Sequence, residues 1–180
     1  MNVANAITLL RILLIPLLVI FLIEGEPRFA FLVFVAAGIS DGLDGFVARF
    51  FGQKTRLGAY LDPIADKLLL TTSFVTMAVL AMLPAWLAVV VVSRDVIIVA
   101  GVIVLLVLDR PLDIRPSYLS KFTTCLQLGL IGVYLGRPYL EFLVDLDIPL
   151  VYLTAIFTLL SGVHYIAIGC RLLGSLEENG

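Results

Sequence analysis

The sequence predicts an all-α integral membrane protein of six transmembrane helices. Three observations lead there. Apolar residues make up 61% of the 180-residue chain and charged residues only 14%. A soluble domain carries about a quarter charged. Mean hydropathy is +1.11, and the apolar residues fall into six runs close to the ~20 residues that a spanning helix needs. The net charge of -2 includes no basic run, so nothing marks a nucleic-acid partner. One domain over residues 1–180 accommodates all six runs.

The first run, 6–23, begins within "MNVANAITLLR". It has neither a charged start nor a small-residue cleavage pattern, and Arg11 interrupts it. It therefore reads as a retained helix and not as a signal peptide. "EGEP" separates it from the second run, 29–50, and "FFGQKTR" separates that from the third, 58–83. "LP" precedes 86–108, "DRPLDIRP" precedes 118–137, and "GRPYLEFLVDLDIP" precedes 148–173. Each connection holds proline, glycine or clustered charge, the usual breakers of helical runs. Cys125 and Cys170 match no metal or disulfide spacing and read as small buried residues.

Lysine and arginine in the loops set orientation. With the N-terminus inside, Arg11, Arg49, Lys54, Arg56, Arg110, Arg115, Lys121 and Arg171 lie on or near the cytoplasmic side. Only Arg28 and Arg137 lie outside, beside Glu24, Glu26, Glu141, Asp145 and Asp147. Both termini are then cytoplasmic, as is the connection between the second and third runs.

That connection is flanked by unusual charge. In "DGLDGFVARFFGQKTRLGAYLDPIADK", Asp41, Asp44, Gly45, Ala48 and Arg49 recur at helical spacing. Gly58, Asp62 and Asp66 follow at steps of four. Residues three, four, seven or eight apart share a helix face, so each helix carries a polar stripe. The short connection makes the helices antiparallel neighbours whose stripes can meet near the cytoplasmic end. A charge at the bilayer centre costs about 2.5–3.5 kcal/mol on insertion scales, and four crowded carboxylates repel unless cations join them. Arg49 and Lys67 cannot balance all four. Oxygen-only sites suit Mg²⁺ or Mn²⁺, and two such ions would remove the repulsion and leave positions for phosphate. Gly45, Ala48 and Gly58 leave room for a ligand against the backbone. The planar fork of Arg49 suits a phosphate. Pro63 removes one helical hydrogen bond, which membrane helices tolerate when neighbours re-satisfy the carbonyl. The same carboxylates could instead form interhelical ion pairs, or line a cation or proton path through a transporter.

The pattern Asp-x2-Asp-Gly-x2-Ala-Arg-x8-Gly-x3-Asp-x3-Asp, complete at these positions, resembles the signature of the CDP-alcohol phosphotransferases. "NAITLLRILLIPL" also looks like the first helix of that family. The resemblance implies transfer of a substituted phosphate from a CDP-linked lipid, CDP-diacylglycerol, to an alcohol with release of CMP. It implies that Asp41, Asp44 and Asp62 ligate two divalent ions, with Asp66 near the second and acting as base. Gly45, Ala48, Arg49 and Gly58 would line the CDP-lipid site, with Thr55 and Asn5 as further candidates. Thr55 can equally be only a helix N-cap. Members are commonly homodimers, and a bacterial cytoplasmic membrane is the expected location.

The flanks bear on the acceptor. "VVVSRDVIIVAGVIVLL" and "RPSYLSKFTTCLQL" resemble phosphatidylglycerophosphate synthases and the cardiolipin synthases of mitochondrial type. Users of glycerol 3-phosphate usually carry another arginine shortly after the Arg-Asp or Arg-Glu pair. Its absence here looks more like cardiolipin synthase, whose acceptor is phosphatidylglycerol. Arg94, Arg115 and Lys121 are the candidates to hold an acceptor phosphate. An arginine within a span needs a partner, and for Arg94 that partner can be Asp95 or another helix. His164 and Tyr165 read as packing or interface residues.

Overall fold

The structure, a computed structural model, describes residues 3–50, 56–107, 117–139 and 141–177, with side chains over 7–41, 63–104, 117–139, 143, 145–169 and 171. Six α-helices follow one another: α1 (Val3–Ile23), α2 (Pro27–Phe50), α3 (Arg56–Val79), α4 (Ala85–Val107), α5 (Tyr118–Gly136) and α6 (Asp147–Glu177). All six expected helices are present. One element was not expected: a short 3₁₀-helix over Glu141–Leu146, inside the stretch read as a breaker.

Local chemistry sets the helix ends. At the end of α1, the Glu26 amide donates to the Phe21 carbonyl and the Gly25 amide to Leu22. This pair of bonds is the Schellman cap, and it requires a left-handed residue. Gly25 supplies it with φ +71°. Pro27 then opens α2, where a missing amide hydrogen costs nothing. The end of α3 repeats the cap, with the Met82 amide on Met77 and the Ala81 amide on Ala78. Here the left-handed residue is Ala81, φ 54°, which has no sequence signature. The expected third run continued to residue 83, but the chain reverses before that. Ser117 caps α5 by accepting from the Ser120 amide at 3.1 Å, as serine does at an N-cap.

The contacts divide the chain into two compact units, Met1–Ala85 with Ile131–Asp147, and Trp86–Leu130 with Ile148–Gly180. In the first, α1 packs against both α2 and α3. Its core is Ile15, Leu18 and Leu22 from α1, Ala30, Val33, Phe34 and Ala37 from α2, and Ala65, Leu69, Phe74 and Met77 from α3. With Leu70, also buried, these positions recur at three- and four-residue steps, one face per helix. In the second unit polar side chains share the interior with Leu87, Val91, Leu130 and Val151. Arg94, Asp95, Thr123, Gln127, Thr154, Thr158 and Ser161 are all buried. Gln127 donates to Thr158 at 3.2 Å, and the Thr123 hydroxyl makes bonds to the Leu119 and Phe157 carbonyls.

Large apolar side chains meanwhile face outward, among them Leu13, Leu32, Val79, Val89, Val163 and Ile166. A soluble monomer rarely exposes contiguous apolar surface beyond a few hundred Å². In a bilayer the pattern is natural, because lipid is as apolar as leucine and helices associate through packing and interhelical hydrogen bonds. Among the described residues, Ala85–Val104 and Asp147–Gly169 are long and apolar enough to cross a membrane, and Ile7–Ile23 is a shorter apolar stretch. Cys125 is exposed, which corrects the expectation that it is buried: a small thiol is at home against lipid. The side chain of Cys170 lies outside the described ones.

Candidate functional site

The site is built on α1, α2 and α3. Arg11 lies mid-way along α1, one turn after the buried Thr8, and its side chain is completely enclosed. Its Nη1 donates to Asp66 Oδ1 at 2.6 Å and stands 2.9 Å from Asp41 Oδ1. One nitrogen thus joins carboxylates from α2 and α3. The sum of the two distances caps the separation of those two oxygens at about 5.5 Å. The two aspartates are not enclosed: their side chains are 48% and 43% exposed. The arginine therefore sits behind the pair, and the carboxylates open away from it.

Of the four expected metal ligands, the structure brings Asp41 and Asp66 together. Asp44 lies on α2 and Asp62 on α3, with side chains outside the described ones. Gly45, Ala48 and Arg49 lie on α2, Gly58 on α3 and Asn5 on α1, again with backbone alone described. Thr55 lies outside the described residues. Helix α3 continues through Pro63, so Asp62 and Asp66 stay one turn apart on one face.

Among the described residues no group of three acidic, histidine or cysteine side chains gathers, and the Asp41–Asp66 pair supplies two of the oxygen ligands that a hard divalent ion takes. Asp41 and Asp66 offer only oxygen, they converge from separate helices, and their exposed faces leave space for further oxygen ligands. A paired, half-open carboxylate can also accept a proton from a bound hydroxyl. Sequence reasoning treated Arg11 only as an orientation charge. Its signal was available, since an arginine in a spanning run demands a partner, but nothing in the run says which helix supplies it.

Arg94, in the second unit, is 3% exposed. Its guanidinium donates to Asp95 Oδ1 at 2.8 Å, to Ser120 Oγ at 2.6 Å and to Ser161 Oγ at 2.7 Å from Nη2. The Tyr165 ring lies 5.8 Å from its carbon centre. The internal partners that the sequence allowed for are present, and Gly162 stands against the stem of Arg94. Lys121 is exposed, with its Nζ 5.9 Å from the Tyr118 ring. Arg115 lies outside the described residues.

Helices with buried polar groups, large apolar side chains facing outward and carboxylates gathered from α2 and α3 define a membrane-type protein with an acidic centre. Comparison with known proteins makes this specific. Residues 1–166 match the CDP-alcohol phosphatidyltransferase family, and the chain belongs to that family. It is 34% identical to the CDP-diacylglycerol–glycerol-3-phosphate 3-phosphatidyltransferase of Haemophilus influenzae, over 99% of this chain and 97% of that protein. The enzyme of the same description from Shigella flexneri is 33% identical over 92% of this chain and 93% of its own length. Human cardiolipin synthase (CMP-forming) is 30% identical over 98% of this chain and 64% of its own length. The chain is thus similar to synthases of both kinds, and its family is one of phosphatidyltransferases acting on a CDP-linked lipid and an alcohol.

Proposed function

We propose that the protein is an integral membrane cardiolipin synthase, transferring a phosphatidyl group from CDP-diacylglycerol to phosphatidylglycerol with release of CMP. The observation that carries the catalytic part is the convergence of Asp41 and Asp66 on one guanidinium, at positions of a complete eight-residue signature. Asp41, Asp44, Asp62 and Asp66 would hold two Mg²⁺ or Mn²⁺ ions. Such ions, when bound, offset charge on the attacking and leaving oxygens of a phosphoryl transfer. Gly45, Ala48 and Gly58 would admit the diphosphate, Arg49 would grip it, and Asn5 and Thr55 would contact the CDP part. The acceptor hydroxyl oxygen forms a bond to the phosphorus nearer the diacylglycerol. The bond from that phosphorus to the oxygen shared with CMP breaks, CMP leaves with its electrons, and the hydroxyl proton passes to Asp66.

The acceptor assignment rests on α4. Between Val96 and Val107 it carries no cation, and Arg94 is enclosed by Ser120, Ser161 and Asp95. A phosphomonoester needs a strongly cationic pocket, whereas phosphatidylglycerol brings a diester and two lipid tails. With Arg94 held by its internal partners, Lys121 and Arg115 remain the residues proposed to face its phosphate. A second reading, a phosphatidylglycerophosphate synthase using glycerol 3-phosphate, is favoured by the near-complete length match to the Haemophilus protein.

We further place all six helices across the bacterial cytoplasmic membrane, with both termini and the acidic centre on the cytoplasmic side, and the chain as a homodimer. The experiment is CMP release from CDP-diacylglycerol by the purified protein with Mg²⁺ or Mn²⁺. Release with phosphatidylglycerol and none with glycerol 3-phosphate is expected. The reverse establishes the second reading. No release with any alcohol removes the transferase assignment and turns attention to cation or proton flux in proteoliposomes.

A further inference from the structure

We propose that Arg11 is a positioning residue of the acidic centre: it pins one oxygen of Asp41 and one of Asp66, and so sets how the two carboxylates meet a divalent cation. The inference rests on the metal-assisted reading above. Three features carry it. Both contacts run to the same atom, Nη1, at 2.9 Å and 2.6 Å, so the guanidinium fixes the distance between the carboxylates as well as their charge. Arg11 is fully buried while both aspartates are about half-exposed, so the brace lies on the closed side and a cation can approach from the open one. And α1 packs on both α2 and α3, which makes the arginine a link from a third element and not a neighbour on either stripe. Fixing Oδ1 of a carboxylate also fixes the direction of its Oδ2. Partners of this kind, one layer behind the ligands, typically contribute 10–100-fold in metal affinity.

A guanidinium that served only as counter-charge would act in the opposite sense. Removing it would take away a positive charge beside the site and tighten cation binding. The two roles therefore differ in sign. The test is a titration of the full chain in detergent micelles with Mn²⁺ alone, read by the electron paramagnetic resonance signal of free Mn²⁺. The binding counted is the part that Asp41→Asn removes. We expect Arg11→Gln to weaken it at least tenfold, and Arg11→Lys, which keeps charge and donors on a shorter reach, to weaken it less. Unchanged or tighter binding in Arg11→Gln overturns the proposal. If circular dichroism shows that Arg11→Gln does not fold, Arg11→Lys decides. A raised metal requirement with an unaltered KM for CDP-diacylglycerol supports positioning, and wild-type metal dependence overturns it. Absence of saturable Mn²⁺ binding in the wild type overturns the metal reading and this proposal together, an outcome distinct from failure of the variants alone.

Discussion

At Asp66, one side chain is assigned both a place beside the metals and the base that receives the acceptor proton. Its Oδ1 accepts from Arg11 at 2.6 Å. An asparagine in its place still offers an oxygen to that guanidinium but cannot take a proton. Asp66→Asn should therefore leave the helical fold intact, read by circular dichroism and gel filtration, while CMP release falls about 10²–10⁴-fold, the usual worth of a general base. A structural role alone predicts near-normal turnover. Arg94 poses the contrary case. It is buried, and Asp95 beside it is nearly so, and truncating one member of a buried ion pair typically costs about 3–5 kcal/mol. Arg94→Ala should accordingly lower the thermal midpoint of the protein in detergent well beyond the effect of Ser161→Ala. Interhelical hydrogen bonds in membranes average only about 0.6 kcal/mol each.

The helices themselves carry a matched pair of ends. Gly25 and Ala81 occupy the same left-handed position of the same cap, yet only glycine adopts that conformation without strain. The left-handed region costs a residue with a Cβ about 1–2 kcal/mol. Ala81→Gly should thus raise stability by about 1 kcal/mol and Gly25→Ala should lower it by a similar amount, both measured by thermal melts in one detergent. No atom outside the local backbone lies within 4 Å of a Cβ added at Gly25, so the loss there isolates the backbone term. The end of α1 was legible because glycine and proline mark it. The end of α3 was not, since alanine favours helix and only the hydrogen bonds of the fold reveal the reversal. The 3₁₀-helix at Glu141–Leu146 was hidden for a similar reason: two short turns of i→i+3 bonds leave too little periodicity to detect.

Among the described residues, arginines, an aspartate, serines, threonines and a glutamine are buried beside the apolar core while many large apolar side chains face outward. That much exposed apolar surface predicts that the chain sediments with membranes, withstands alkaline carbonate and is released only by detergent. A fluorescent protein fused after Gly180 should fluoresce in the bacterial cytoplasm, and a dark but expressed fusion would reverse the proposed orientation. The helical plan was readable because twenty-residue apolar runs leave few alternatives. The aspartates were readable because charge in such runs is conspicuous, and their spacing placed them on two stripes. The pairing with Arg11 was not, because periodicity describes one helix at a time and the partners lie 55 residues apart and on a different element. The Ser120 and Ser161 contacts of Arg94 escaped for the same reason, since serine in an apolar run carries no hint of its partner.

The brace between α1 and its two neighbours also has a history written into chain order. Arg11 leaves the ribosome about thirty residues before Asp41 and 55 before Asp66. During that interval α1 holds a cation with neither carboxylate yet made. Insertion scales charge about 2.5–3.5 kcal/mol for an arginine at a helix centre, and the leucines, isoleucines, valines and phenylalanine of α1 offset it at about 0.3–0.6 kcal/mol each. The apolar neighbours of Arg11 thus carry the cation, and its pairing with Asp41 and Asp66 is completed only once α2 and α3 have been made.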